Sequence, residues 1–109
     1  MTNMTHKEFE ALAEFTQQRV SDLLTRKSQE YSTDDDRFHN FAVGQEVAKA
    51  MFPEIKQSQI AFMFALKHIV SVMDMINADN AFPEDRIHEK IDDIIAYLIL
   101  IKAMLIKGN

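Results

Sequence analysis

The chain has 109 residues, a formal net charge of −5, 47% hydrophobic residues and 27% charged residues, which is ordinary for one soluble domain spanning 1–109. Because it contains no cysteine, disulfides, zinc–thiolate sites and thiol nucleophiles are excluded. The acidic charge and the lack of a Lys/Arg cluster argue against binding to duplex nucleic acid, and two glycines and two prolines argue against an all-β fold.

Capping and stop residues define the ends of the first two predicted helices. Residues 5–8 have the Thr-x-x-Glu form of a capping box, and helical spacing of apolar residues predicts a helix from about 6 to 31. Residues 33–36 should stop this helix and cap the next, since Asp and Thr oxygens accept the free N–H groups of a helix start. The second helix should cover about 37–51 and end before Pro53. Its inward side chains are predicted to be Phe38, Phe41, Val47 and Met51.

The second half of the chain predicts two longer helices. One begins near Ser58 and runs to about Asn77. The other begins near Pro83, a residue favoured in the first turn, and ends at Gly108, which suits the residue after a helix. Four helices with short connections predict an all-α, antiparallel four-helix bundle.

The apolar stretch 94–101 is far shorter than the roughly 20 residues that span a bilayer. The N-terminus lacks the apolar segment of a signal peptide. We therefore expect a cytoplasmic protein without a membrane span. Apolar side chains in 94–106 occupy more faces than one small bundle can cover, which predicts a homo-oligomer, a dimer or tetramer. These side chains are Ile94, Ile95, Leu98, Ile99, Ile101, Leu105 and Ile106.

Polar residues form stripes along the two apolar helices of the second half. Such groups have to reach water, a partner or a metal, because unpaired burial costs several kcal/mol. A solvated face or an internal ion pair would explain either stripe alone. Together with the polar residues of 30–40, they favour a converging site in which carboxylates hold a divalent cation and cations and amides hold phosphate oxygens. The stripe of the third helix is Lys67, His68, Ser71 and Asp74. The stripe of the fourth helix is Glu89, Asp93 and Tyr97, with Asp92 beside it. The residues from 30–40 are Glu30, Arg37 and Asn40.

The same residues carry a resemblance to a known group of proteins. The pattern is similar to small phage and prophage proteins that resemble the MazG-like, all-α nucleoside triphosphate pyrophosphohydrolases. It covers about 23–105. The motifs are Lys27-x-x-Glu30-Tyr31, Asp36-Arg37-x-x-Asn40-Phe41, Lys67-His68-x-x-Ser71-x-x-Asp74 and Glu89-Lys90-x-x-Asp93-x-x-x-Tyr97-Leu98.

This resemblance implies a self-associating helical bundle that holds Mg²⁺ and cleaves an NTP or dNTP between its α and β phosphates. The family's metal-binding pairs, Glu-x-x-Glu and Glu-x-x-Asp, fall on Ser71 with Asp74 and on Glu89 with Asp92 or Asp93. Spacing does not choose between the two aspartates, although the following apolar residues favour Asp93. Ser71 departs from the family pattern, so either Glu30 replaces the lost carboxylate or activity is absent.

Two main functions follow as expectations. In the enzyme, Glu30, Asp74, Glu89 and Asp93 are catalytic residues that bind Mg²⁺, with Asp92 as the alternative ligand. Arg37, Lys67 and His68 would neutralise phosphate charge, while Asn40, Ser71 and Tyr97 would complete the substrate site. The alternative is a non-catalytic helical oligomer that binds a nucleotide or a host or phage protein. A third interpretation is a plain helical oligomer whose charges form structural ion pairs. A phage-encoded protein would act in the host cytoplasm.

Overall fold

The computed structural model describes residues 3–31 and 36–109, apart from the side chain of Tyr31. The described chain forms an all-α bundle of four helices, as predicted. They are α1 (His6–Tyr31), α2 (His39–Ala48), α3 (Gln57–Asn77) and α4 (Glu84–Lys107).

Three helix ends, the start of α1 and both ends of α4, follow local chemistry that is visible in the sequence. In the capping box of α1, the Thr5 N–H donates to Glu8 Oε1 at 3.3 Å, and the Glu8 N–H donates to Thr5 Oγ1 at 3.1 Å. Helix α4 begins directly after Pro83, and Gly108 ends it with a φ of 97°. Glycine adopts this left-handed conformation without the steric penalty that a Cβ brings. The predicted bounds of α1, α3 and α4 are confirmed to within one residue.

Helix α2 is shorter than the predicted 37–51. It begins at His39 because the chain makes one more turn before it, in which the Phe38 N–H donates to Asp36 Oδ1 at 2.9 Å. It ends at Ala48, and residues 49–51 form a turn. The stop and cap expected at residues 33–35 lies outside the described residues.

The core is arranged around an antiparallel hairpin of α3 and α4. The start of α3 packs against the end of α4, in a cluster that α2 completes: Phe41, Ile60, Ala61, Leu100 and Met104. Helix α1 packs against α4 and runs parallel to it, since its contacts advance together along both helices. These contacts are Phe15 with His88, Arg19 with Asp92, and the buried cluster of Val20, Leu23 and Ala96.

Two residues expected to point inward on α2 are exposed. Val47 is 72% and Met51 79% exposed, so their assignment to the core is wrong. Phe41 is buried as expected, and Phe38 packs partly against the core. The reason is that α2 packs on the hairpin with the face that carries Phe41, Gly44 and Ala48, and Val47 lies beside that face. Met51 comes after the end of α2.

Helix α3 is long and apolar enough to cross a membrane by length and composition, and most of its apolar stretch is exposed in the single chain. One such helix is weak support for a membrane protein, because core helices of soluble proteins meet the same criteria. The apolar stretch 94–101 lies within α4, where Ala96 and Leu100 are buried in the bundle.

Candidate functional site

A cavity of about 260 Å³ lies where the four helices approach one another. Its apolar floor is made by side chains such as Leu23, Ala96 and Leu100. Seven polar side chains also line it: Lys27, Arg37, Asn40, Lys67, His68, Asp93 and Tyr97. Six of these seven were candidate site residues in the sequence, so the fold brings most of the predicted ligand-binding set together.

Helical periodicity explains how these side chains reach the cavity. On α1, Lys27 follows the buried Leu23 by four residues, which places both on one face. On α4, Asp93 and Tyr97 are likewise four residues apart and one position beyond the buried Asp92 and Ala96. Each helix therefore presents polar groups beside its own buried stripe.

The cavity is rich in positive charge. Among the described residues that line it, Lys27, Arg37 and Lys67 carry positive charge and Asp93 carries negative charge. The Arg37 guanidinium is partly buried, and its Nη2 donates to the carbonyl oxygen of Leu24 on α1 at 3.3 Å. This burial lowers the pKa of Arg37 from its usual value, yet guanidinium stays protonated in proteins. In a protein of net charge −5, this site is suited to an anion.

His68 is the most buried polar group of the cavity. Its Nδ1 lies 3.5 Å from Asp93 Oδ2, and no described residue gives that nitrogen a hydrogen bond. Burial lowers the pKa of His68 and outweighs the opposing effect of the Asp93 carboxylate. The ring is therefore neutral at pH 7. The other charged groups that act on the pKa are Lys90 and Lys67, which lower it, and Glu89, which raises it.

Aromatic rings form one wall of the cavity. The Phe41 ring lies 5.8 Å from that of Phe64 and 6.5 Å from that of Tyr97, measured between centroids. The His68 and Tyr97 rings are stacked at 5.9 Å. Phe64 is 41% exposed, so part of its ring is accessible to a ligand. A flat aromatic group could stack here while its anionic end met the cations.

Five predicted site residues do not line the cavity: Glu30, Ser71, Asp74, Glu89 and Asp92. Glu30 is exposed on the last turn of α1, and Asp74 is exposed on α3. Glu89 is largely exposed, with Lys90 Nζ 3.8 Å from its carboxylate. The Ser71 hydroxyl donates to the Lys67 carbonyl oxygen at 3.0 Å, one turn back along its own helix. The polar stripes of α3 and α4 thus extend one turn beyond the cavity.

The two adjacent aspartates of α4 have different surroundings. Asp93 lines the cavity, whereas Asp92 is only 3% exposed and accepts a hydrogen bond from Arg19 Nε at 2.5 Å. Arg19 also lies over the Phe15 ring, 5.5 Å from its centroid. Asp92 therefore belongs to the contact between α1 and α4. Of the two aspartates that spacing could not separate, the cavity contains Asp93.

The predicted magnesium site is not assembled by the described residues. Within 3–31 and 36–109, no group of three or more His, Asp or Glu side chains is placed to hold a metal ion. Asp93 is the one predicted metal ligand among the described residues that line the cavity, which also include three cationic side chains. A single carboxylate offers Mg²⁺ few oxygen ligands within this cavity, and Mg²⁺ binding stays a prediction.

Besides the apolar lining of Leu23, Leu24, Phe41, Ala96 and Leu100, the cavity contains Lys27 and Phe64, which were not among the candidates. Lys27 was part of the quoted motif, but Glu30 was chosen from it; the four-residue spacing from Leu23 was the available signal for Lys27. Phe64 was not singled out, because one phenylalanine in an apolar helix is normally a core residue.

Comparison of the chain with protein-family models, with curated proteins and with solved structures finds no match.

Proposed function

We propose that the protein binds a nucleotide in this cavity. The observation that carries the proposal is the convergence of Lys27, Arg37 and Lys67 with an accessible aromatic wall. Charge-assisted hydrogen bonds from such cations are the usual way to hold phosphate oxygens. A base stacked on Phe64 or Tyr97 would satisfy the apolar side of the same ligand.

The remaining polar groups suit a base or a sugar. The exposed Asn40 at the cavity has a carboxamide that both donates and accepts hydrogen bonds, as the edge of a base requires. The volume of about 260 Å³ lies just below the common range of roughly 300–1,000 Å³ for small-molecule sites, which favours one mononucleotide. The resemblance to MazG-like proteins supports a nucleotide over other phosphorylated compounds, and its motifs contribute most of the polar lining. Such a ligand would be met in the cytoplasm, that of the host if the protein is phage-encoded.

Titration calorimetry with Lys67→Met tests the proposal. Nucleoside mono- and triphosphates are compared in EDTA and in Mg²⁺, and ribose 5-phosphate serves as a ligand without a base. Loss of one cation–phosphate hydrogen bond, worth about 1.5–3 kcal/mol, should weaken binding by roughly tenfold or more. Lys7→Met is the matched control, because Lys7 is an exposed lysine of α1 outside the cavity lining.

Each result has a defined meaning. Absence of binding by every nucleotide would refute the proposal. An equal loss of nucleotide affinity in the Lys7 and Lys67 variants would show that the nucleotide does not bind in the cavity. Affinity for ribose 5-phosphate equal to that for nucleotides would show that the base is not recognised.

Hydrolysis of the bound nucleotide is the second candidate function. It is favoured by Asp93, a carboxylate among cations and 3.5 Å from the His68 ring, since a carboxylate can orient an imidazole that takes a proton from water. Pyrophosphate release from a panel of NTPs and dNTPs, with and without Mg²⁺, tests it. Activity that Asp93→Asn abolishes without weakening binding would support catalysis. If no substrate releases pyrophosphate, nucleotide binding without hydrolysis remains the proposed function.

A further inference from the structure

The cavity contains a pair of polar groups whose hydrogen bonds are incomplete. His68 is only 9% exposed, and its Nδ1 has no hydrogen-bond partner among the described residues. The carboxylate oxygen Asp93 Oδ2 lies 3.5 Å from this nitrogen, beyond the usual range of roughly 2.7–3.2 Å for an N–H···O bond. A buried polar group without a partner costs free energy, so the pair favours a ligand atom that bonds to both groups.

The chemistry of the two groups specifies that ligand atom. An ionised carboxylate only accepts hydrogen bonds. The neutral imidazole carries one proton, and the Asp93 carboxylate beside Nδ1 favours the tautomer with this proton on Nδ1. Burial lowers the pKa of His68, which keeps the ring neutral at pH 7. One donor and one acceptor therefore lie 3.5 Å apart in the lining of the cavity.

A hydroxyl group meets both requirements, because its oxygen accepts one hydrogen bond while its proton is donated in another. A phosphate oxygen only accepts, so it would be repelled by Asp93. An amino group on a base only donates, so it would leave the His68 Nδ1–H unpaired. In a nucleotide, the hydroxyl groups belong to the sugar, which joins the phosphate to the base.

We propose that His68 and Asp93 bind a sugar hydroxyl group of the nucleotide, with the His68 Nδ1–H donating to its oxygen and its proton donated to Asp93 Oδ2. This inference rests on the proposed function, because it assigns the part of the ligand between the cations and the aromatic wall. The neighbouring residues suit that position. Lys67, one of the cations, directly precedes His68 on α3, and the Tyr97 ring is stacked on the imidazole at 5.9 Å.

A water molecule is the competing occupant of the pair, because water also donates and accepts hydrogen bonds. It would be the water that hydrolysis of the bound nucleotide requires. Ligands without sugar hydroxyl groups distinguish the two occupants. If water occupies the pair, such ligands bind as well as the parent nucleotide.

Titration calorimetry on the full chain tests the proposal with monophosphates of the common bases in ribo, 2′-deoxy, 3′-deoxy and 2′,3′-dideoxy forms. The dideoxy form leaves His68 and Asp93 unpaired, so it should bind at least about tenfold more weakly than the ribo form. The 2′-deoxy and 3′-deoxy forms identify the hydroxyl, because the form that lacks the bound one should show the same loss.

Asp93→Ala removes the acceptor and should reduce the ratio of ribo to dideoxy affinity to less than about threefold. Asp22→Ala is the matched control, because Asp22 is an exposed aspartate of α1 outside the cavity lining, and it should keep the full ratio. Asp93→Asn guards against a failure of Asp93→Ala to fold. Its amide oxygen still accepts a hydrogen bond but carries no charge, so its ratio should be intermediate.

Equal affinities of the wild type for the ribo and dideoxy forms would overturn this inference and leave nucleotide binding in place, with water in the pair. The full wild-type ratio in both Asp93 variants would also overturn it, because the hydroxyl would then be bound elsewhere. Absence of binding by every nucleotide would instead refute the proposed function, and this inference with it.

Discussion

Gly44 decides how closely α2 approaches the hairpin. It lies in the middle of α2, where glycine costs about 1 kcal/mol relative to alanine. A Cβ built at this position would lie 3.1 Å from Cγ2 of Ile60 on α3. Ile60 is buried and β-branched, so its χ1 has little freedom to move the methyl group away.

For Gly44→Ala, two opposing effects can be compared. Helix propensity should stabilise the protein by about 1 kcal/mol. Overpacking against Ile60 should cost about 1–3 kcal/mol. We therefore expect no gain, or a loss of up to about 2 kcal/mol, from a substitution that normally stabilises a helix. In an Ile60→Ala background the obstructing methyl is gone, and Gly44→Ala should stabilise by the full ~1 kcal/mol.

Urea unfolding followed by circular dichroism measures this cycle, with all four proteins at the same concentration. The coupling between the two sites should be about 1–3 kcal/mol. A stabilisation of about 1 kcal/mol by Gly44→Ala in the wild type, without coupling to Ile60, would refute the steric argument. Nucleotide titration adds a readout, because displacement of α2 would move Asn40 and weaken binding to the cavity.

Two further predictions concern buried polar groups. Burial lowers the pKa of His68 below its usual 6.5, so near this pH the unfolded chain binds more protons at His68 than the native protein does. The free energy of unfolding should therefore fall as the pH drops below about 6.5, by at most ~1.4 kcal/mol per pH unit. His68→Gln should flatten this slope in urea titrations at several pH values, and an unchanged slope would exclude His68 as its source. Arg19→Met should lower the Tm, because it leaves the Asp92 carboxylate buried without its partner. Adding Asp92→Leu should recover part of the loss, and a wild-type Tm in Arg19→Met alone would show that the pair contributes little.

Helix positions were predictable because their signals are local. The Thr5–Glu8 capping box and the pair of Pro83 and Gly108 act within a few residues, and the structure forms them as predicted. The packing of α2 was not predictable, because Val47 has the spacing of a buried residue but lies where no other helix covers it. Gly44 was the overlooked signal, since a glycine inside a helix often marks a close approach.

The candidate site was predictable in composition but not in extent. Periodicity correctly grouped Lys67 with Ser71 and Asp74 on one side of α3, yet it does not show how far a neighbouring helix reaches. Helix α2 is ten residues long and covers only the first half of α3, so the cavity ends near His68. Glu89 likewise lies one turn before Asp93 on α4 and is outside the cavity lining. The same limit explains why predicted phosphate-binding residues converge while most predicted metal ligands do not.

Helix α3 is apolar on nearly every side, although much of its surface is exposed in the single chain. A helix of this kind is normally buried all round, but here its inner side packs on α2 and α4 and its outer ridge is exposed. The ridge consists of Met63, Leu66, Val70 and Met73, and the homo-oligomer predicted from the sequence would cover it. Val70→Glu, in the middle of this ridge, should therefore shift the protein towards the monomer in light scattering after size exclusion. Val47→Glu, at an exposed valine of α2, is the control and should leave the assembly unchanged. Equal masses for the two variants would show that this side of α3 is not the interface.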